Sequence, residues 1–252
     1  MLLMRFFLTI VFLAGITALS AQTDSTQRFR KVRMGVFTAI SHQVAVNGGE
    51  ADTDMGNFGF KGYLQPELGI ALRYQQDSSE FGLLTISASR LNFSVANVNT
   101  LLANGNSYPV INRMDIFLSN YAANVSYHKR ITRKSPRRYL SLETGIGIHV
   151  MNCETAAISS DTAVGPYSIS RTLNYQQSVF ALPSAELGLN LTLVPEQAAT
   201  EFTFGLRGEV YLGKSPEITY HSYYTRPADS FSYYFRWSPM LLTPKLYVLA
   251  VF

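Results

Sequence analysis

The chain has 252 residues, of which 47% are hydrophobic and only 15% are charged, against roughly 25% charged residues in a typical soluble domain. Its 21 basic and 17 acidic residues leave a net charge of +4, which is too balanced for a nucleic-acid-binding protein. The single cysteine, Cys153, excludes an internal disulfide and offers no metal cluster. We therefore expect no cofactor and no metal.

The first 21 residues have the features of a secretory signal peptide. Arg5 supplies a positive start, an apolar run follows from Phe6 to Ile16, and the pattern Leu19-Ser20-Ala21 precedes Gln22. We predict that residues 1–21 are removed and that residues 22–30 form a flexible lead-in. After the signal peptide no run of about 18 apolar residues remains, so no transmembrane helix is expected.

From Val32 onward apolar and polar residues repeatedly alternate with a period of two, which predicts β-strands. In the clearest strand, 140–150, the apolar side chains share one face, and Glu143 and His149 lie on the other. Its length matches the roughly 9–11 residues with which a tilted strand crosses a bilayer. The eight predicted strands cover 32–41, 68–75, 80–93, 117–127, 140–150, 185–193, 202–212 and 245–252.

The connections between these strands alternate long and short, as a barrel with short periplasmic turns and long outer loops requires. We therefore predict an all-β fold, a transmembrane antiparallel up-and-down β-barrel formed by residues 31–252. Eight strands are expected, and ten if the hairpin 214–240 enters the wall. Neither face of the third strand is uniformly apolar, which predicts a bulge within it. The long connections cover 43–65, 94–113, 152–177 and 213–241.

The signal peptide, the alternating strands and the terminal KLYVLAVF resemble the small Gram-negative outer-membrane β-barrel proteins of the OmpA/OmpX-like transmembrane domain type. The resemblance covers roughly residues 30–252. It implies location in the outer membrane and contact with its lipid and lipopolysaccharide. It also implies that Phe252 is read by the barrel-assembly machinery. One departure is that the inward positions of the last strand, Tyr247, Leu249 and Val251, are apolar. A pattern of this kind implies function weakly.

Several charged residues lie on the predicted inner faces. The interior of an eight-stranded barrel is just wide enough for side chains to fill it, and a charge enclosed there must be paired. Arg90 is placed inside because an arginine facing the bilayer centre would cost about 2–4 kcal/mol. Inward glycines such as Gly145 would make room for the long arginines. The predicted lumen network, which plugs the barrel, comprises Arg73, Arg90, Glu143, Glu186, Arg207, Glu209 and Lys245. A narrow channel is the alternative.

No catalytic residues are predicted. The four histidines, His42, His128, His149 and His221, do not show metal-ligand spacing. None of them lies in a His-x-Ser arrangement on a strand, which a resemblance to barrels of the lipid A deacylase type would lead us to expect. We expect a protein without enzymatic activity, and an outer-membrane hydrolase of lipid A or peptides is the alternative. The basic turn 128–138 is expected on the periplasmic side, touching anionic headgroups or a periplasmic partner.

The last long connection is unusually aromatic. ITYHSYYT and SFSYYFRW flank residues 226–229, which predicts a hairpin above the membrane. Tyrosine and tryptophan dominate binding hot spots, so the hairpin is a candidate surface for an extracellular protein or glycan ligand. The candidates are Tyr220, Tyr223, Tyr224, Tyr233, Tyr234 and Trp237. We predict a structural or surface-binding role, such as adhesion. The alternatives are an aromatic girdle and an accessory subunit of a secretion or assembly complex.

Overall fold

A computed structural model describes most of the chain from Val32 to the C-terminus. The described residues are 32–46, 49–51, 58–76, 79–103, 105–132, 135, 137–153, 162–175, 179–196, 200–215, 217–226, 229–237 and 240–252. The predicted signal peptide (1–21) and lead-in (22–30) lie outside them, and both stay predictions. In the described part of the chain, no helix has the length and apolar character needed to span a membrane.

The described residues form fifteen β-strands. They are β1 Val32–His42, β2 Val44–Val46, β3 Gly49–Ala51, β4 Phe58–Gly62, β5 Leu64–Gln75, β6 Glu80–Ala103, β7 Asn106–Arg130, β8 Arg138–Cys153, β9 Thr162–Val164, β10 Tyr167–Tyr175, β11 Val179–Leu193, β12 Glu201–Tyr211, β13 Ile218–Arg226, β14 Asp229–Trp237 and β15 Met240–Val251. Strands β1, β5, β6, β7, β8, β11, β12 and β15 are paired in that order, and β1 also pairs with β15. The predicted eight-stranded antiparallel barrel is confirmed.

The register of the barrel can be followed once around the wall. A path that follows paired residues around the wall from Met34 in β1 does not come back to Met34 but reaches Val44 in β2. It passes through Leu72, Leu84, Val125, Ile146, Ala185, Val210 and Leu242. This stagger tilts the strands against the barrel axis, typically by roughly 35–45°. Side chains that meet across the lumen therefore come from different positions along their strands.

The barrel carries its apolar side chains on the outside. In β8, Ile146 is 68% exposed, whereas Glu143 and His149 on the opposite face are completely buried. The same alternation runs along β1, β5, β11, β12 and β15, which confirms the predicted faces of these strands. An outward apolar band around a polar interior is the surface of a transmembrane β-barrel.

Strands β6 and β7 form one long hairpin that extends beyond the barrel wall. Their register is continuous from the Glu80–Lys129 pair to the Ala103–Asn106 pair. The predicted bulge in the third strand is therefore wrong, and residues 94–113 are part of the hairpin rather than a loop. The inner face of β6 mixes apolar Leu83 with polar Thr85, both buried. This mixture hides the alternation in the sequence.

Five further strands form a second sheet, in the order β3-β14-β13-β10-β9. These strands lie within the long connections, so the predicted loops 43–65, 152–177 and 213–241 contain regular structure. The ten-stranded alternative is wrong, because β13 and β14 pair with β10 and β3 and not with the barrel wall. Tyr167, Ile169 and Tyr224 form a buried cluster in this sheet, and Tyr108 from β7 packs against it. The long hairpin and the second sheet are therefore in contact.

Candidate functional site

Six of the seven predicted lumen charges are buried inside the barrel. Arg73, Glu143, Glu186, Arg207, Glu209 and Lys245 are each exposed by 5% or less. They come from five strands, β5, β8, β11, β12 and β15, so the closure of the wall brings them together. Their contacts divide into three groups along the lumen.

The seventh residue, Arg90, lies on the outer face, and the prediction that it points into the lumen is wrong. Its register partner is Ser119 on β7, and both neighbours on β6, Ser89 and Leu91, are less exposed than Arg90. The Arg90 guanidinium lies 5.0 Å from the centre of the Phe117 ring. Since Phe117 precedes Ser119 in a strand that descends toward the short connections, the guanidinium reaches toward the long-connection end. A long side chain near the edge of the outward apolar band can bring its charge to the interface between membrane and water in this way.

Arg207 is the centre of the first group. It is completely buried, contacts Glu143 through Nη2, and lies 2.9 Å from Glu186 Oε2 through Nη1. The Tyr247 hydroxyl donates to Glu143 Oε2 at 2.9 Å, and the guanidinium lies 4.8 Å from the centre of the Tyr247 ring. One cation thus holds two carboxylates from neighbouring strands.

The amide of Asn190 and the imidazole of His128 complete this first group. Asn190 Nδ2 donates to Glu143 Oε2 at 3.1 Å and lies 3.1 Å from His128 Nδ1. His128 Nε2 lies 3.5 Å from Glu143 Oε1. His128 belongs to β7 and is completely buried, so the predicted basic turn 128–138 begins later than expected, after Arg130. The sequence signal for His128 was its inward position two residues after Ser126.

Lys245 is the centre of the second group. Its Nζ lies 2.9 Å from Glu67 Oε2 and 2.7 Å from Glu209 Oε2. Glu209 Oε1 in turn lies 2.5 Å from His149 Nε2 and accepts a hydrogen bond from Ser184 Oγ at 2.9 Å. Glu67 was missed by the sequence analysis because the predicted strand began at Leu68. Its position two residues before the inward Gly69 could have identified it.

The third group lies at the end of the barrel with the short connections. Glu201, the first residue of β12, contacts the guanidinium groups of both Arg33 and Arg73. Arg73 also donates to Gln75 Oε1 at 2.7 Å. Glu201 precedes the predicted strand by one residue, and Arg33 is the second residue of the first predicted strand. This cluster fills the lumen at the end of the barrel with the short connections.

Inward glycines leave room for the large side chains of the network. A methyl group added at Gly145 would collide with the Glu186 carboxylate, and one added at Gly205 would collide with the Tyr247 ring. The large groups therefore lie directly on bare backbone, and the first group fits only because neither position carries a side chain. This arrangement makes the lumen a packed polar core.

The described residues do not include a group of three His, Cys, Asp or Glu side chains placed to hold a metal ion. Ser184, His149 and Glu209 are the side-chain types of a hydrolytic triad. However, Ser184 donates to Glu209 rather than to His149, and all three are exposed by 1% or less. In this arrangement the hydroxyl is not activated by the imidazole.

The described tyrosines of the predicted surface site lie on different faces of the second sheet. Tyr220 and Tyr224 are buried, whereas Tyr223 between them is 44% exposed. Burial raises the pKa of the Tyr220 hydroxyl, so that this group stays protonated. The side chains of Tyr233, Tyr234 and Trp237 lie outside what the structure describes. The prediction that Tyr220 and Tyr224 form a binding surface is wrong, because both pack inside the protein.

Phe252 ends the chain beside β1, where its backbone N–H donates to the Met34 carbonyl at 2.8 Å. The last residue is thus joined to the first wall strand at the seam that closes the barrel. Its suggested reading by an assembly machinery stays a prediction.

No family model matches the chain, and no curated protein is significantly similar to it. Solved outer-membrane proteins are similar to it at low identity. OprG from Pseudomonas aeruginosa is 10% identical, with 87% of this chain and 93% of that chain covered and a TM-score of 0.38. A major outer membrane protein from Thermus thermophilus is 8% identical, with 86% and 99% covered and a TM-score of 0.41. A FadL homologue from Pseudomonas aeruginosa is 6% identical, with 90% and 92% covered and a TM-score of 0.26. At these values the fold assignment rests on the strand pairing described above.

Proposed function

We propose that this chain is an outer-membrane β-barrel protein with a plugged lumen, which has a structural or surface-binding role outside the membrane. The outward apolar band supports insertion in a bilayer, because the transfer of a continuous band of exposed aliphatic side chains, such as Leu246 at 63% exposure, from water into an apolar surrounding is favourable. The barrel type is the one that crosses outer membranes. Lipid and lipopolysaccharide are its expected surroundings.

The orientation follows from the two ends of the barrel. Short connections lie at one end, and the extended hairpin and the second sheet arise from the long connections at the other. In outer-membrane barrels the short turns are periplasmic and the longer connections are extracellular. We therefore place the second sheet on the cell surface and Phe252 at the periplasmic end, where assembly factors would meet it.

The environment of Arg207 is the observation that supports a plugged lumen. It is completely buried and is held by two carboxylates and a tyrosine ring. A solute path would have to separate these groups, and leaving one buried charge without its partner costs about 3–5 kcal/mol. The network therefore favours a closed barrel over the narrow channel. Recognition would then take place on the second sheet.

Surface labelling tests the location and the orientation. Ser232 in β14 and Lys129 in β7 are exposed at opposite ends, so Ser232→Cys and Lys129→Cys form a matched pair in a Cys153→Ser background. We expect a membrane-impermeant maleimide to label only Ser232→Cys on intact cells, and to label both after the outer membrane is opened. The opposite pattern would refute the orientation, and absence from the membrane fraction would refute the location.

Planar-bilayer recording tests the plug. The wild-type protein is expected to show no unitary conductance steps, and reproducible steps would instead support the narrow channel. The proposal also includes no enzymatic activity. Cells that produce the protein are therefore expected to keep the same lipid A mass profile as cells that produce the His149→Ala and His221→Ala variants.

A further inference from the structure

The five-stranded sheet has two faces of opposite character. On one face Tyr167, Ile169 and Tyr224 are buried together. On the other face, cross-strand pairs place small hydroxyl side chains around one tyrosine. Ser170, Tyr223 and Ser232 follow one another across β10, β13 and β14, and Ser168, Thr225 and Ser230 form the adjacent row. All six are exposed.

We propose that this exposed face binds a neutral polysaccharide. The inference rests on the proposed function in one respect, namely that the sheet faces the cell exterior. It names the class of ligand and the residues that meet it, and it replaces the buried Tyr220 and Tyr224 with the opposite face of the same strands.

The balance of charge on this face favours an uncharged ligand. Among its described side chains, Arg236 and Glu217 carry charge and lie 3.7 Å apart, so that they neutralise each other. Thr219 Oγ1 also donates to Glu217 Oε1 at 3.2 Å. Arg226 belongs to the opposite face, where its guanidinium lies 5.2 Å from the Tyr167 ring. Apart from the His221 imidazole, the other described polar groups of the exposed face are neutral donors and acceptors, which match the neutral hydroxyl groups of a sugar.

The aromatic group at the centre of this face provides the apolar contact that a sugar ring needs. The Tyr223 ring is nearly parallel to the His221 ring, with an interplanar angle of 11° and a centroid distance of 6.1 Å. A pyranose presents C–H groups on its flat side, which pack on an aromatic surface, while its hydroxyls project sideways. Ser170 and Ser232, the cross-strand partners of Tyr223, place hydroxyls on both sides for those groups.

The same composition disfavours a protein partner. The centre of a protein–protein interface is depleted in polar groups and built on several large apolar or aromatic anchors. Of the side chains described on this face, Tyr223 is the one exposed large ring, and serine and threonine surround it. A hydrated, repeating, hydroxyl-rich polymer fits a flat face of this kind, since each hydroxyl on the sheet meets the same chemistry along the chain.

Binding to immobilised neutral polysaccharides tests the proposal. The full-length protein, folded in detergent micelles, would be measured on dextran, mannan and laminarin, with alginate as the anionic comparison. We expect saturable binding to at least one neutral polymer, a loss of affinity of at least tenfold in Tyr223→Ala, and nearly full binding in Tyr223→Phe, which keeps the ring. Ser170→Val together with Ser232→Val is expected to weaken binding without changing the fold. Tyr121→Ala is the matched control, because Tyr121 is also 44% exposed but lies on the barrel wall.

Each outcome decides the proposal separately from the barrel function. Folding of every variant is checked by its heat-modifiable migration on gels. If the protein is labelled on the cell surface but binds none of the neutral polymers, or if Tyr223→Ala binds as well as the wild type, the saccharide proposal is refuted and the proposed function stands. Binding to alginate alone would also refute it, because the ligand would then be recognised by charge. Failure of surface labelling would refute the proposed function.

Discussion

Replacing Arg207 with leucine should strongly destabilise the barrel. The substitution takes away the cation that contacts Glu143 and lies 2.9 Å from Glu186, and it leaves both carboxylates enclosed. Removing one partner of a buried ion pair costs about 3–5 kcal/mol. Since two carboxylates lose their partner here, we expect Arg207→Leu to lower the free energy of unfolding by an amount at the upper end of this range.

The assay is urea unfolding of protein that has been folded into lipid vesicles, followed by heat-modifiable migration on gels and by circular dichroism. Adding Glu143→Gln to Arg207→Leu should recover part of the loss, because it removes one unpaired charge. Arg138→Leu is the matched control, since Arg138 is exposed on β8 and surface substitutions usually stay within about 0.5 kcal/mol. A cost below about 1 kcal/mol for Arg207→Leu would mean that water reaches the lumen and that the network is not a plug.

Three further predictions test the outer face, the packing of the lumen and the extracellular layer. Leu189→Arg should lower the free energy of unfolding from lipid vesicles by about 2–4 kcal/mol, whereas Arg90→Leu should not change it measurably. A large decrease for Arg90→Leu would contradict the outward position of Arg90. Gly205→Ala should lower the yield of folded barrel because its methyl group meets an aromatic ring. Gly208→Ala on the same strand should fold normally, since the added methyl group would lie 3.9 Å from the Leu187 carbonyl oxygen. Equal yields of folded barrel for the two variants would refute the tight packing at Gly205. Tyr108→Ala removes a contact of the long hairpin with the buried cluster of the second sheet, so limited proteolysis should cleave the hairpin faster, and unchanged cleavage would show that the contact does not hold the two together.

The faces of most wall strands could be predicted from the sequence because their alternation has a period of two. Between Leu140 and Val150 in β8 and between Ala185 and Leu193 in β11, the outward face is apolar apart from Thr144, and the inward face carries polar residues and glycine. A slip of one residue would exchange the two faces completely, so the pattern leaves one choice. The same reasoning placed Glu143, Glu186 and Arg207 inside.

Alternation alone failed where both faces have mixed character. In β6 the buried positions include both Leu83 and Thr85, so the pattern did not show which face Arg90 shared. In β13 aromatic residues occupy both faces, and the burial of Tyr224 depends on its contacts with Tyr167 and Ile169 from another strand. Neither assignment can be made from a strand considered by itself.

By itself, the sequence determined that the chain forms strands with an apolar side and a polar side, and that short and long connections alternate, because these are local properties of neighbouring residues. Only the tertiary structure decided which charges become partners and which aromatic rings remain exposed. Arg207 meets Glu143 across 64 positions of sequence, and that meeting depends on the stagger accumulated around the wall. The exposed ring of Tyr223 depends in the same way on the packing of three separate connections into one sheet.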